Sequence, residues 1–144
     1  PTHPNTLLTQ QNLAAVLAEE GQVAEAEQLL REAVEAYREV YREDHSMVLV
    51  TRHNLARTIM RDGQFDEARQ IYQDLVRRAD VALPETHFYR GVFRSGLGAA
   101  LAGVGRRDEA EAVLTEAVSL LEARLGADHR HTRMARERLD GLDT

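Results

Sequence analysis

The residues best equipped for chemistry in this chain are its histidines, two asparagines and a pair of arginines, and their spacing is regular. His45, His87 and His129 recur every 42 residues, in the stretches REDHSM, LPETHF and GADHRH, and His3 extends the series. Imidazoles in series suggest a metal site. Metal–nitrogen bonds are about 2 Å long, however, and equivalent atoms of side-by-side helical units lie on the order of 10 Å apart. His129 and His131 are expected to diverge on a helix. The histidines are therefore read as linker residues, with no metal and no other cofactor. Asn12 and Asn54 occupy one repeat position, and a carboxamide can hold a peptide backbone because it both donates and accepts. The other reading is a surface Asn bonded within its own hairpin. Arg57 and Arg61 lie one helical turn apart on the face of Asn54 and could fork a carboxylate, or else pair with acidic neighbours such as Asp62 or Glu19.

Catalytic arrangements are missing from the sequence. The carboxylates crowding residues 19–44 fall on solvated helix faces, with Glu27–Arg31 and Arg31–Glu35 spaced as i,i+4 pairs. No acidic pair has an apolar, desolvating setting for acid–base work, and no Ser-His-Asp or H-E-x-x-H arrangement is present. GLGAALAG, from Gly96 to Gly103, imitates a dinucleotide loop, but its third required glycine is Leu101 and no strand precedes it. The expectation is a protein that is not an enzyme.

Composition limits the partners. The formal charge is −6, which argues against nucleic acid, whose binding needs a net basic surface. All 18 basic residues are Arg, read as codon bias rather than phosphate recognition. No apolar run approaches the roughly 18 residues of a membrane span, so no membrane partner is expected. Cysteine is absent, which excludes disulfides and thiolate sites. The chain opens at Pro1, and the expectation is a piece of a larger cytoplasmic protein.

The elements that position these residues repeat as well. NLAAVLAEEGQVAEA (Asn12–Ala26), NLARTIMRDGQFDEA (Asn54–Ala68) and GLGAALAGVGRRDEA (Gly96–Ala110) superpose at a step of 42. In each, apolar residues at helical spacing stop at a glycine (Gly21, Gly63 or Gly105) and then resume. The first copy reads Leu13, Val16, Leu17, then Val23, Ala26, Leu29, Leu30, Ala33 and Tyr37. This is a helical hairpin closed by a left-handed glycine, and one hairpin needs its neighbour to bury its stripes. Ala26, Ala68 and Ala110 hold a position where a small side chain lets the two helices approach. Asp44, Asp128 and Ser46 are suitable N-caps; Pro4 and Pro84 fall near helix starts. Thr132, Ala135, Leu139 and Leu142 predict a last helix over 129–142.

The pattern N-L-A-x-x-L/I-x-x-x-G-x-x-x-E-A resembles the tetratricopeptide repeat. The 42-residue period and Asp-His linker are similar to the long type found in kinesin light chain. The third copy departs from the pattern at Gly96 and Arg107. The ending VFRSGLGAALAGVGRRDEAEAVL resembles repeats that follow bacterial serine/threonine kinase domains. The resemblance implies an all-α, right-handed superhelix of three hairpins (3–44, 45–86, 87–128) and a capping helix (129–142), forming one domain over 1–144. It further implies a protein or peptide partner, extended along the concave face of the first helices. Carried over by position, that face comprises Leu8, Gln11, Asn12, Ala15 and Glu19; Val50, His53, Asn54, Arg57, Met60 and Arg61; and Val92, Ser95, Ala99 and Ala102. The competing expectation is a spacer, or weak self-association of an otherwise monomeric chain through end faces at Leu7, Leu8 and Val16, and at Leu139 and Leu142.

Overall fold

The computed structural model describes residues 4–142, with side chains from Leu8 onward. His3 and the side chain of Leu7 lie outside the described residues. The described chain is all helix and turn: α1 (Pro4–Glu19), α2 (Val23–Val40), α3 (Ser46–Arg61), α4 (Phe65–Ala82), α5 (Tyr89–Gly103), α6 (Arg107–Leu125) and α7 (Arg130–Gly141). The one domain expected is described as two compact units, residues 1–64 and 65–144, divided inside the second repeat.

In unit 1, α2 packs against both α1 and α3. Gly21 has φ +86°, and Gln22 N–H donates to Leu17 O at 2.8 Å while Gly21 N–H reaches Ala18 O at 3.2 Å. These are the two bonds of a Schellman ending. The same pair closes α3 at Gly63, through Gln64 to Ile59 O and Gly63 to Met60 O. In unit 2 it closes α5, through Arg106 to Leu101 O and Gly105 to Ala102 O. Ala26, Ala68 and Ala110 are completely buried, as a close-approach position requires.

The core of α1 differs from the sequence reading. Ala14 and Ala18 face inward, whereas Leu13 and Val16 stand half exposed, because α1 carries apolar residues on two faces. In unit 2, α5 touches α4, α6 and α7. α6 lies close because α5 offers glycines: a Cβ on Gly98 would sit 2.4 Å from Cγ of Leu114. The apparent dinucleotide loop is thus the seam of a helix pair.

The helix starts correct another expectation. The residues before α3 and α7 are His45 and His129, not Asp44 or Asp128, and Ser46 is already inside α3. Nδ1 of His45 accepts the Met47 N–H at 3.1 Å, Nδ1 of His87 that of Tyr89 at 3.1 Å, and Nδ1 of His129 that of His131 at 3.1 Å. An imidazole nitrogen two bonds from Cβ reaches the same orphan donors that an Asn cap serves. His129 and His131 accordingly stack, with centroids 5.2 Å apart, rather than diverging. The 42-residue histidine series is a set of helix starts.

Candidate functional site

The candidate face of unit 1 is built on α1 and α3, and its polar residues divide into two kinds. Gln11 is buried: its Nε2 donates to the Tyr37 hydroxyl at 3.4 Å, and its Oε1 accepts from Asn54 Nδ2 at 2.9 Å. Arg61 Nη1 donates to Ala18 O at 2.8 Å. Asn54 and Arg61 therefore tie α3 back onto α1, each across 43 positions. Asn54, half buried, gives one of its two amide N–H groups to Gln11 and keeps the other and its carbonyl oxygen.

Asn12, Glu19 and Arg57 are exposed, while Val50, His53 and Met60 are half buried. Arg57 makes no hydrogen bond or ion pair among the described residues, and none joins it to Asp62 or Glu19. Leu8 and Ala15 complete the exposed edge on α1. Gln11, expected on the exposed face, is instead a buried link between helices.

In unit 2 the equivalent face is mostly closed. Val92 and Ser95 are buried, and the Ser95 hydroxyl accepts from Arg138 Nη1 of α7 at 2.9 Å. That bond repeats the Asn54–Gln11 link two repeats further on, since Arg138 stands at the asparagine position of the series. Ala99 is half exposed and Ala102 exposed. The middle position of the series, Gly96, has no side chain because its space is filled: a Cβ there would lie 2.3 Å from the Tyr72 ring.

Unit 2 also has a cleft of about 580 Å³ between the 85–87 linker, α5 and α6, which the repeat pattern does not reveal. Its inner wall is Arg90 and Arg94. Arg94 forks Asp80 with bonds of 2.9 and 2.7 Å and lies 3.4 Å from Glu116. The hydrogen bond to Asp80 holds the Arg94 guanidinium above its ordinary pKa, against the opposing pull of burial. Arg90 donates to the Asp80 and Leu83 carbonyls at the end of α4. These cations hold α5 against α4, although the buried Arg90 Nε has no hydrogen-bond partner among the described residues.

Profiles of the tetratricopeptide repeat match residues 1–81 and residues 94–131. The chain belongs to the tetratricopeptide repeat family. Such repeats mediate protein–protein interactions and are typically non-catalytic. Among solved structures, the chain is similar to a Podosopora anserina protein described as a kinesin light chain with nearly identical repeats. The two share 28% identity and a TM-score of 0.87, over 97% of this chain and 66% of that one. A tetratricopeptide-like protein from Chlorobium tepidum is 20% identical, with a TM-score of 0.70 over 96% of this chain and 94% of that one. BtubC (BKLC) from P. vanneervenii is 22% identical, with a TM-score of 0.75 over 90% of this chain and 51% of that one. These last two show the all-α helical-repeat fold alone. The chain spans about two thirds of the length of the Podosopora protein. None of the curated proteins matches it. Among the described residues, no helix is long and apolar enough to cross a membrane.

Proposed function

We propose that this tetratricopeptide repeat chain is the interaction module of a larger protein, and that unit 1 takes an extended acidic peptide across α1 and α3. The observation that carries the reading is Arg57, an exposed guanidinium without a partner among the described residues, in a chain whose net charge is −6. Its planar fork suits a carboxylate. Arg61, one turn on, keeps donors beyond the one given to Ala18 O. The Asn54 carboxamide keeps a second N–H and its carbonyl oxygen for a peptide backbone, and Asn12 offers both donor and acceptor. Val50, His53 and Met60 flank these groups with half-buried surface. Glu19, exposed at the end of α1, repels an acidic ligand there and so gives the peptide a direction.

Selection of a random-peptide display library on the parent chain and on an Arg57→Ala variant tests the reading. Enrichment of peptides with clustered Asp or Glu by the parent, lost in the variant, is expected. Equal enrichment by both would remove the acidic-peptide assignment. Arg57 is exposed and bonded to nothing described, so its loss leaves the fold unchanged.

A further inference from the structure

The cleft of unit 2 borders on donors that no described residue accepts from. Arg90 gives Nη2 to the carbonyls of Asp80 and Leu83, yet its Nε is buried and has no hydrogen-bond partner among the described residues. Nδ1 of His87 accepts the Tyr89 N–H, so in the neutral ring the proton sits on Nε2, and that nitrogen can only donate. It has no described acceptor. Arg124, exposed on α6, makes no hydrogen bond or ion pair among the described residues. The exposed hydroxyls of Thr86 and Ser119 complete this set of donors around the cleft.

The repeat itself does not require these cations. One repeat earlier, Val48 and Ala82 stand at the positions of Arg90 and Arg124, and Val48 is completely buried. An apolar side chain therefore suffices at the Arg90 position where packing alone decides. A guanidinium there carries an N–H inside without an acceptor, which costs free energy until one arrives. Arg78 stands at the position of Leu120 and bonds Asp74 at 2.8 Å. The shorter, uncharged Leu120 instead gives the cleft an apolar wall, continued by Ala123.

We propose that this cleft is a binding site for a small organic carboxylate. Its volume of about 580 Å³ falls within the roughly 300–1,000 Å³ of small-molecule sites. The carboxylate takes hydrogen bonds from Arg124 on α6 and from His87 Nε2–H on the linker. Behind them Arg90 adds its charge, and a small rotation of its side chain turns the orphan Nε–H to the ligand. The apolar body of the ligand lies on Leu120 and Ala123. The inner acids do not oppose it: both oxygens of Asp80 are held by Arg94, and Glu116 lies 3.4 Å from the same guanidinium. Glu85, exposed on the linker, does oppose a second negative charge, so a monocarboxylate is favoured over a phosphate dianion. Occupancy joins the linker to α5 and α6 and so braces the turn leading into the third hairpin. The site lies wholly within unit 2 and does not depend on the peptide reading.

An NMR titration of the isotopically labelled intact chain with benzoate, at constant ionic strength, tests the proposal. The Nε–H signals of Arg90 and Arg124 and the ring nitrogens of His87 should shift together and saturate at one molecule per chain. Benzamide, the neutral isostere, should move none of them, and inorganic phosphate should bind more weakly than benzoate. Arg124 is exposed and bonded to nothing described, so Arg124→Gln keeps the fold; it should weaken benzoate about tenfold, the worth of one charge-assisted hydrogen bond. An equal, unsaturated drift of every arginine, a response to benzamide, phosphate binding tighter than benzoate, or unchanged affinity in the variant would each overturn it. A shift at Arg57 alone would also overturn it, while leaving the peptide reading in place.

Discussion

Replacing Gly96 with Ala adds one methyl group to the middle of α5, and the structure sets what it costs. The new Cβ would lie 2.3, 2.4 and 2.8 Å from three carbons of the Tyr72 ring, where 3.4–4 Å is ordinary contact. Tyr72 is almost fully buried, so the whole ring must move by about 1 Å or α5 must lift from α4. Overpacking of this kind costs about 1–3 kcal/mol, and one carbon pressed against three atoms of a rigid ring belongs at the upper end. Against this, Ala in place of Gly in a helix returns about 1 kcal/mol. The net is a loss of about 2 kcal/mol, or a fall in Tm of about 10 °C for a body of this size. Thermal and urea unfolding followed by circular dichroism would measure it. A Gly141→Ala control, with no atom within 4 Å of the added carbon, should stay within about 0.5 kcal/mol of the parent. Tyr72→Leu introduces the residue found at the equivalent positions 30 and 114, and should recover more than about 1 kcal/mol of the loss in the double variant. A Gly96→Ala chain as stable as the parent would refute the close-packing account of α5.

Further outcomes are expected elsewhere. His87→Ala removes the side-chain acceptor for the Tyr89 N–H and should cost about 1 kcal/mol in unfolding, with His87→Asn recovering most of it. Gly21→Ala forces a Cβ onto a residue at φ +86° and should cost about 1 kcal/mol, although space is free around it. The hydrogen bond from Arg69 holds the Asp66 carboxyl below its ordinary pKa. Any stability it lends is present at neutral pH and lost as pH falls through the lowered value. In an Arg69→Ala variant, an NMR titration should find Asp66 back near the ordinary 3.9 or so.

The helices and their turns were legible because each repeat states its own geometry: a helical stripe, a glycine and a small residue at a fixed distance. Gly21, Ala26 and their copies depend only on local backbone and one neighbouring helix, so a linear period reveals them. What the sequence hid depends on stacking register. The Asn54–Gln11, Arg61–Ala18 and Arg138–Ser95 bonds each span 43 positions, one more than the period, so alignment at 42 places the partners in columns with no sign of their contact. Gln11 was read as a ligand residue for that reason. The imidazole caps were missed because Asp44 and Asp128 are the commoner capping type and stand one residue earlier. Gly96 looked like erosion of the repeat, when it is the space that the Tyr72 ring requires.

In the proposed function, the α1–α3 face of unit 1 holds an acidic peptide through Arg57. Titrating the isotopically labelled chain with an acidic peptide selected from the display library, while following backbone amide and arginine Nε–H shifts by NMR, tests it most directly. Shifts are expected to concentrate at Asn12, Val50, His53, Asn54, Arg57 and Arg61, with affinity falling as salt rises. Shifts confined to the cleft of Arg90 and Arg94, or binding in which the Arg57 Nε–H does not move, would contradict it.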